Sequence, residues 1–107
     1  MKKRIVLSPD FFDDLEELLE ALVEDDYFSS LQWALKYTDA IEKYIDDSLG
    51  LYPAKKVPDS LKKYGSLFIK YVHSQHTTWY ILYDETDEVY FVRHITNNHI
   101  SGQYFNV

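Results

Sequence analysis

Four side chains near the C-terminal end of the chain carry the groups that acid–base chemistry on a phosphate needs. They are Arg93, His94, His99 and Tyr104, all within twelve positions. RNA cleavage without a metal requires a base for the 2′-hydroxyl, a cation for the charge on phosphorus and an acid for the leaving oxygen. Histidine titrates near neutral pH, and arginine offers phosphate a fork of donors. The structural alternative is that Arg93 pairs with an acid across a sheet while His99 closes the C-terminus.

Two predicted strands, 79–83 and 89–95, position these side chains. Aromatic and β-branched residues alternate along both with a period of two, which is typical of a sheet buried on at least one face. The acidic run 84–87 between them is short enough to force antiparallel pairing. Alternation divides the second strand into two sets, Val89, Phe91, Arg93 and Ile95 against Tyr90, Val92 and His94. Arg93 and His94 are therefore predicted on opposite faces, so at most one of them belongs to a single site.

The N-terminal part predicts a short strand and a long amphipathic helix. Residues 4–7 are too few to form a stable strand alone, so we expect them to join the later sheet. Ser8 is a good N-cap, and Pro9 suits the first helical position because its φ is already helical. From Phe11 to Val23, apolar residues recur at spacings of three and four. The acids between them are predicted to form the solvated face of this helix.

A second helix is predicted after a brief break at 25–28. Ser29 or Ser30 caps it, apolar positions recur as far as Leu49, and Gly50 ends it. Two helices joined by so short a link form an antiparallel hairpin.

The rest of the chain predicts a loop and one further strand. Helical and strand periodicity disappear over 51–65, where prolines interrupt the pattern. Residues 66–73 alternate as a strand, and the turn 74–76 joins them to the strand that follows. The order is one strand, two helices and three consecutive strands. We therefore predict a single α+β domain over 1–107, in which a helical hairpin packs on one face of a three-stranded antiparallel meander.

Composition argues against several other classes of protein. The chain has no cysteine, so it has no disulfide framework and no thiolate nucleophile. His73 and His76 flank a turn, but no carboxylate follows them at ligand spacing, so neither a metal nor another cofactor is expected. The apolar runs are too short for a membrane span or a signal peptide, and a cytoplasmic location is expected.

The net charge of −7 is unevenly distributed. Residues 1–9 carry three positive charges, residues 10–47 carry a net charge of −11, and residues 48–107 carry a net charge of +1. An acidic protein repels nucleic acid at long range, although a nearly neutral second half leaves room for a local basic patch. The loop in that half carries four lysines, Lys55, Lys56, Lys62 and Lys63. These lysines either follow a phosphate backbone or form a solvated loop.

The C-terminal half carries motifs that together resemble the RelE/ParE superfamily, the toxins of type II toxin–antitoxin pairs. The motifs are TTWYI at 77–81, a short acidic turn at 84–87 and ITNNH at 95–99. The predicted order of elements also resembles that superfamily over nearly the whole chain. The resemblance implies a toxin that a cognate antitoxin protein neutralises. Separately from the resemblance, a homodimer is one possible assembly, since the sequence leaves the oligomeric state open.

In the nuclease branch of the superfamily, basic residues hold the scissile phosphate and a His or Tyr near the C-terminus transfers protons. The resemblance therefore implies a metal-independent endoribonuclease that cleaves mRNA on the ribosome. Arg93 would bind phosphate in the catalytic site, and His99 or Tyr104 would move protons. The expected nucleic-acid-binding residues are Lys62, Lys63, Lys70 and Arg93.

Two other functions stay open at this point. A ParE-like protein would inhibit DNA gyrase by protein contact and would need no catalytic groups. The acidity and the sparse basic residues favour this function, whereas the C-terminal His and Tyr favour the nuclease. A third alternative is a non-toxic relative that only binds its antitoxin.

Overall fold

The computed structural model of the protein describes residues 3–24, 31–51, 55–73, 75 and 77–105. Five strands, three α-helices and one 3-10 helix lie within these ranges. In chain order they are β1 (Arg4–Leu7), α1 (Pro9–Glu24), α2 (Leu31–Ser48), β2 (Lys55–Lys56), the 3-10 helix (Asp59–Tyr64), β3 (Leu67–Val72), β4 (Thr78–Glu85), β5 (Val89–Asn97) and α3 (Asn98–Phe105). None of the described helices is long and apolar enough to cross a membrane.

The strands form one mixed sheet in the order β1-β5-β4-β3-β2. β1 runs parallel to β5, and the other neighbouring strands pair antiparallel. A parallel neighbour that is distant in sequence requires a crossover, which the two long helices between β1 and the rest of the sheet supply. The α+β class predicted from the sequence is confirmed, with a sheet of five strands rather than the expected smaller one.

The ends of the long helices follow local sequence signals. The Ser8 side-chain oxygen accepts a hydrogen bond from the Phe11 backbone N–H at 3.1 Å, as an N-cap does. After α2, Gly50 has a φ of 88°, a left-handed conformation that glycine adopts readily. A Cβ at Gly50 would lie 2.7 Å from the Tyr90 hydroxyl, so a side chain there would have to displace that hydroxyl as well as adopt the left-handed backbone.

Some predicted boundaries lie outside the described residues. These are the link 25–28, the caps Ser29 and Ser30, and two of the three residues of the turn 74–76.

The interpretation of 51–65 as a loop is wrong in two places, and a helix follows β5 where none was predicted. Lys55 and Lys56 pair with β3 as a short edge strand, and residues 59–64 form the 3-10 helix. After β5 the chain continues directly into α3, because the Asn97 side-chain oxygen accepts the backbone N–H groups of His99 and Ile100 at 3.0 and 3.2 Å. Asn97 is 1% exposed, so this cap is held inside the structure.

Each face of the sheet carries its own apolar cluster. On one face α1 and α2 bury the larger cluster around Phe11, Ile41 and Trp79, all of them fully buried. On the other face the 3-10 helix and α3 cover only part of the sheet. There the Phe105 ring of α3 stacks on Tyr80 with ring centroids 3.8 Å apart.

A β-bulge interrupts the pairing of β4 with β5. Leu82 pairs with His94 while Tyr83 pairs with Val92, so Arg93 is an extra residue in β5. An extra residue reverses the alternation beyond it, and Val92 and Ile95 are therefore buried in the same cluster. The strict alternation predicted for this strand is wrong for that reason.

Candidate functional site

An open groove lies between α1, the 3-10 helix, β5 and α3. It consists of two adjoining clefts of about 390 and 500 Å³, and both are lined by Asp14, Lys63, Tyr64 and His94. We name it the α1–α3 groove. Its other lining residues used below are Asp10, Asp13, Glu17, Leu18, Leu61, Arg93, Ile100 and Tyr104.

The groove exists because β1 is shorter than β5. The last pair of that parallel register joins Leu7 to Val92, and the chain then turns into α1. Ser8 holds this turn against the bulge, since its hydroxyl donates to the backbone carbonyl of Arg93 at 3.2 Å. Beyond that point α1 rather than a strand lies beside β5, and its acidic face meets the side chain of His94.

His94 is the centre of the groove. Its Nδ1 hydrogen-bonds Asp14 Oδ2 of α1. Its ring stacks on Tyr64 of the 3-10 helix with centroids 4.4 Å apart. His94 and Asp14 are only 19% and 26% exposed, so three separate elements meet at a partly buried hydrogen-bonded pair. When Asp14 is ionised, its oxygens can only accept, and Nδ1 of His94 is then the donor.

The protonation of Asp14 is shifted by its surroundings. Partial burial raises the pKa of this carboxyl above its usual range, although the neighbouring His94 opposes the rise. A carboxyl that holds its proton more tightly beside an imidazole is suited to exchange a proton within the groove. The pair is therefore the described arrangement closest to a general acid and base.

Arg93 lies in the groove but is already engaged. Its guanidinium donates to Asp84 Oδ2 at 2.9 Å and to the Lys63 carbonyl at 3.3 Å. Partial burial acts to raise the pKa of Asp84, but hydrogen bonds from Ser66 and Arg93 outweigh it and lower that pKa. Arg93 thus makes the cross-sheet pair that the structural alternative expected.

Arg93 and His94 line the same cleft, so their assignment to opposite faces is wrong. The bulge is the physical reason, because the extra residue turns both side chains toward the groove.

His99, the first predicted proton-transfer residue, lies at the other end of β4. Its Nε2 is 3.2 Å from the Thr77 hydroxyl, whereas Arg93 contacts Asp84, seven positions along the chain. At about 3.3 Å per residue, these two contact points are separated by about 23 Å. The structure therefore does not bring His99 and Arg93 into one site.

His99 belongs to a second neighbourhood, which we name the strand-end cluster, made of Tyr37, Tyr71, His73, Thr77 and His99. The Tyr71 hydroxyl lies 3.0 Å from His73 Nδ1, and the Tyr37 and His73 rings are 4.0 Å apart. The His73 backbone N–H donates to the Thr77 carbonyl at 3.1 Å, which places both histidines beside one residue. His73 and His99 are both exposed.

The other predicted residues divide between the groove and the surface. Tyr104 lines the groove together with His94, and so does Lys63. Lys62 is exposed and pairs with Asp59 at 2.8 Å. Lys70 is exposed on β3 and lines neither cleft.

Sequence reasoning missed Asp14 and Tyr64 as site residues. The helical spacing predicts Asp14 on a solvated face of α1, and no sequence pattern distinguishes Tyr64 from the other tyrosines. The position of His94 next to Arg93 could have indicated the site, but only with knowledge of the β-bulge that turns both side chains toward the groove.

Acids outnumber bases in the groove. Among its described lining residues, four carboxylates on α1 face the cationic side chains of Lys63 and Arg93. Asp84 already balances the charge of Arg93. Among the described residues, no group of three or more His, Cys, Asp or Glu could hold a metal ion. Because acids outnumber bases among its lining residues, the groove presents a negative potential to an approaching ligand.

Comparison with known proteins leaves the family open. No family model, no curated protein and no solved structure matches this chain. The RelE/ParE resemblance therefore stays a prediction.

Proposed function

We propose that the protein is the toxin component of a type II toxin–antitoxin pair of the RelE/ParE type, and that it acts in the cytoplasm by binding another protein. The proposal includes a RelE/ParE-like β-α-α-β-β-β core, to which β2, the 3-10 helix and α3 are additions. The crossover from β1 through two helices and the antiparallel succession β3-β4-β5 support this core. Its partners would be a cognate antitoxin and a target such as DNA gyrase, with a homodimer as a further assembly.

The observation that carries the binding mode is the charge of the α1–α3 groove. A nuclease site must attract a polyanion, and binding of nucleic acid depends on free lysine and arginine side chains. Here the arginine is paired with Asp84, and four carboxylates line the same surface. Like charges at an interface suppress association, so this groove favours a protein over RNA.

The second candidate is the metal-independent mRNA endoribonuclease, and one observation favours it. His94, Asp14, Lys63 and Tyr104 share one groove, which brings a base, an acid and a cation together. In that case His94 rather than His99 would transfer the proton. At about 3.3 Å per residue along β4, the contact point of His99 lies about 23 Å from that of Arg93. The third candidate, a non-toxic antitoxin-binding relative, shares the binding surface but not the activity.

Expression in bacteria separates these functions. The binding mode predicts growth arrest with gyrase-linked DNA breaks and with no new mRNA 5′ ends. It also predicts that arrest survives His99→Ala. The nuclease predicts codon-phased mRNA cuts that His94→Ala and Arg93→Ala abolish. Growth arrest with such cuts would overturn the binding mode, and an absence of arrest would leave only the non-toxic relative.

The antitoxin part of the proposal has its own test. A small reading frame beside this gene should encode a protein that co-purifies with the chain and restores growth. If the neighbouring products neither bind the chain nor relieve arrest, the toxin–antitoxin assignment is wrong.

A further inference from the structure

We infer that the α1–α3 groove binds a cationic amphipathic peptide segment. An apolar side chain of that segment would lie against α3, and its lysine or arginine side chains would face the acids of α1. The inference rests on the proposed function only in taking the partner to be a protein. The charge and the apolar character expected of the partner are inferred from the residues that line the groove.

The α3 side of the groove supplies an apolar wall. Ile100 and Tyr104 are 59% and 39% exposed, and residues four apart lie on one face of a helix. Behind them the groove is lined by Leu18 and Leu61, which are 6% and 8% exposed. Phe105 fixes α3 through its stacking on Tyr80, so this wall is held in place before a ligand arrives.

The α1 side supplies the charge. Asp10 and Asp14 are four residues apart, and so are Asp13 and Glu17, which gives two carboxylate pairs on neighbouring lines of the helix. Asp14 bonds His94, whereas Asp13 and Glu17 are exposed. Complementary charge across an interface selects the partner and speeds its approach. Lysine and arginine side chains meet that requirement, and phosphates do not.

The dimensions of the groove fit a peptide segment. Clefts of about 390 and 500 Å³ share four lining residues, so together they form one open groove rather than a cavity closed around a small molecule. An amphipathic segment places apolar and charged side chains on different sides, as this groove does.

The test uses three labelled probes and fluorescence anisotropy with the full chain. The probes are an amphipathic peptide of lysine and leucine, a glutamate and leucine peptide of the same pattern, and a single-stranded RNA. We expect the cationic peptide to bind and the other two to bind at least tenfold more weakly, by an order-of-magnitude argument from charge complementarity. Tighter binding of RNA than of the cationic peptide would overturn the inference.

Matched variants localise the binding. Asp13→Asn with Glu17→Gln should weaken the cationic peptide roughly three- to tenfold at low salt, and the effect should shrink as salt rises. The control Asp39→Asn with Asp47→Asn removes the same charge from exposed positions on α2. Equal weakening by both double variants would mean general attraction to an acidic protein, and the groove inference would fail.

A second pair of variants, one in the apolar wall and one outside the groove, tests the apolar contact. Ile100→Thr should weaken the cationic peptide roughly three- to tenfold at every salt concentration, because apolar contact is not screened. Val72→Thr is the control, since Val72 is also 59% exposed but lies on β3 and outside the groove. Unchanged binding of the cationic peptide by Ile100→Thr would mean that α3 is not part of the binding site.

The two proposals can fail separately. If the chain arrests growth but the groove variants bind the peptide as the original chain does, the groove inference is wrong and the proposed function stands. If peptide binding follows the variants but no arrest or antitoxin is found, the groove inference stands without the toxin.

Discussion

The α1–α3 groove and the strand-end cluster both place histidines among tyrosine rings, at opposite ends of β4. In the groove, His94 is 19% exposed and bonds a carboxylate. In the strand-end cluster, His73 and His99 are exposed and bond the neutral hydroxyls of Tyr71 and Thr77. A partly buried carboxylate orients an imidazole and biases its proton, whereas a neutral hydroxyl does so only weakly. The surroundings of a histidine, more than its place near the C-terminus, decide what it can do.

The two regions also differ in the packing contacts that hold them in place. The strand-end cluster rests on the large core, where Trp79 and Ile41 are fully buried and burial raises the pKa of Tyr37. The groove depends on a few contacts to α3 and the 3-10 helix. We therefore expect the groove to be the more easily altered of the two. Substitutions of His94 and His99 compare the two regions directly, and substitutions of Phe105 and Asp84 test contacts that hold the groove.

The largest effect is expected from Phe105→Ala. This change removes the ring stacked on Tyr80 and releases α3, and we expect a loss of about 2–4 kcal/mol in the free energy of unfolding. Urea denaturation measures the loss. The neighbouring Tyr104→Ala is the control, with an expected loss below about 1 kcal/mol because Tyr104 is 39% exposed. Equal losses would mean that stacking on Tyr80 does not anchor α3.

An intermediate effect is expected from His94→Ala. The change leaves Asp14 partly buried without its partner and removes the ring on Tyr64, so the free energy of unfolding should fall by about 1–2 kcal/mol. His99→Ala should cost less than about 0.5 kcal/mol, since its side chain is exposed. Chemical denaturation at neutral pH compares them directly. A larger loss in His99→Ala would reverse the comparison between the two regions.

The smallest effect is expected from Asp84→Asn, and it depends on pH. The folded-state pKa of Asp84 is lowered, so its ionised form stabilises the protein above the unfolded pKa of about 4. That stability is lost as the pH falls through the lower folded value. The difference between the original chain and Asp84→Asn should be at most about 1 kcal/mol at neutral pH, because the pair with Arg93 is exposed to solvent screening.

Denaturation across the acid range checks this prediction. The difference should shrink as the pH falls below the unfolded pKa of about 4, and it should disappear once the pH is below the lowered folded pKa, where both states bind the proton. Asp39→Asn on the exposed face of α2 serves as the control. A difference that grows as the pH falls would contradict the lowered pKa.

Much of the fold could be predicted from local sequence patterns. The spacing of apolar residues in α1, the Ser8 cap, Gly50 after α2 and the alternation of β3 and β4 were all readable from the chain, because each depends on neighbours within a few positions. The same reasoning correctly named a cross-sheet acid as one partner for Arg93. It also found the residue types near the C-terminus without finding which of them meet.

The tertiary structure decided the candidate site. His94 and Asp14 are 80 positions apart, and only the packing of α1 beside β5 brings them together. The bulge at Arg93 depends on how β4 and β5 pair, and it reverses the face of every later residue in β5. The sequence determined β1, the two long helices and the three long strands because their signals are local, but it did not determine β2, the 3-10 helix or α3. The structure alone determined the groove, because a register shift and a helix laid along a strand edge are set by contacts between distant segments.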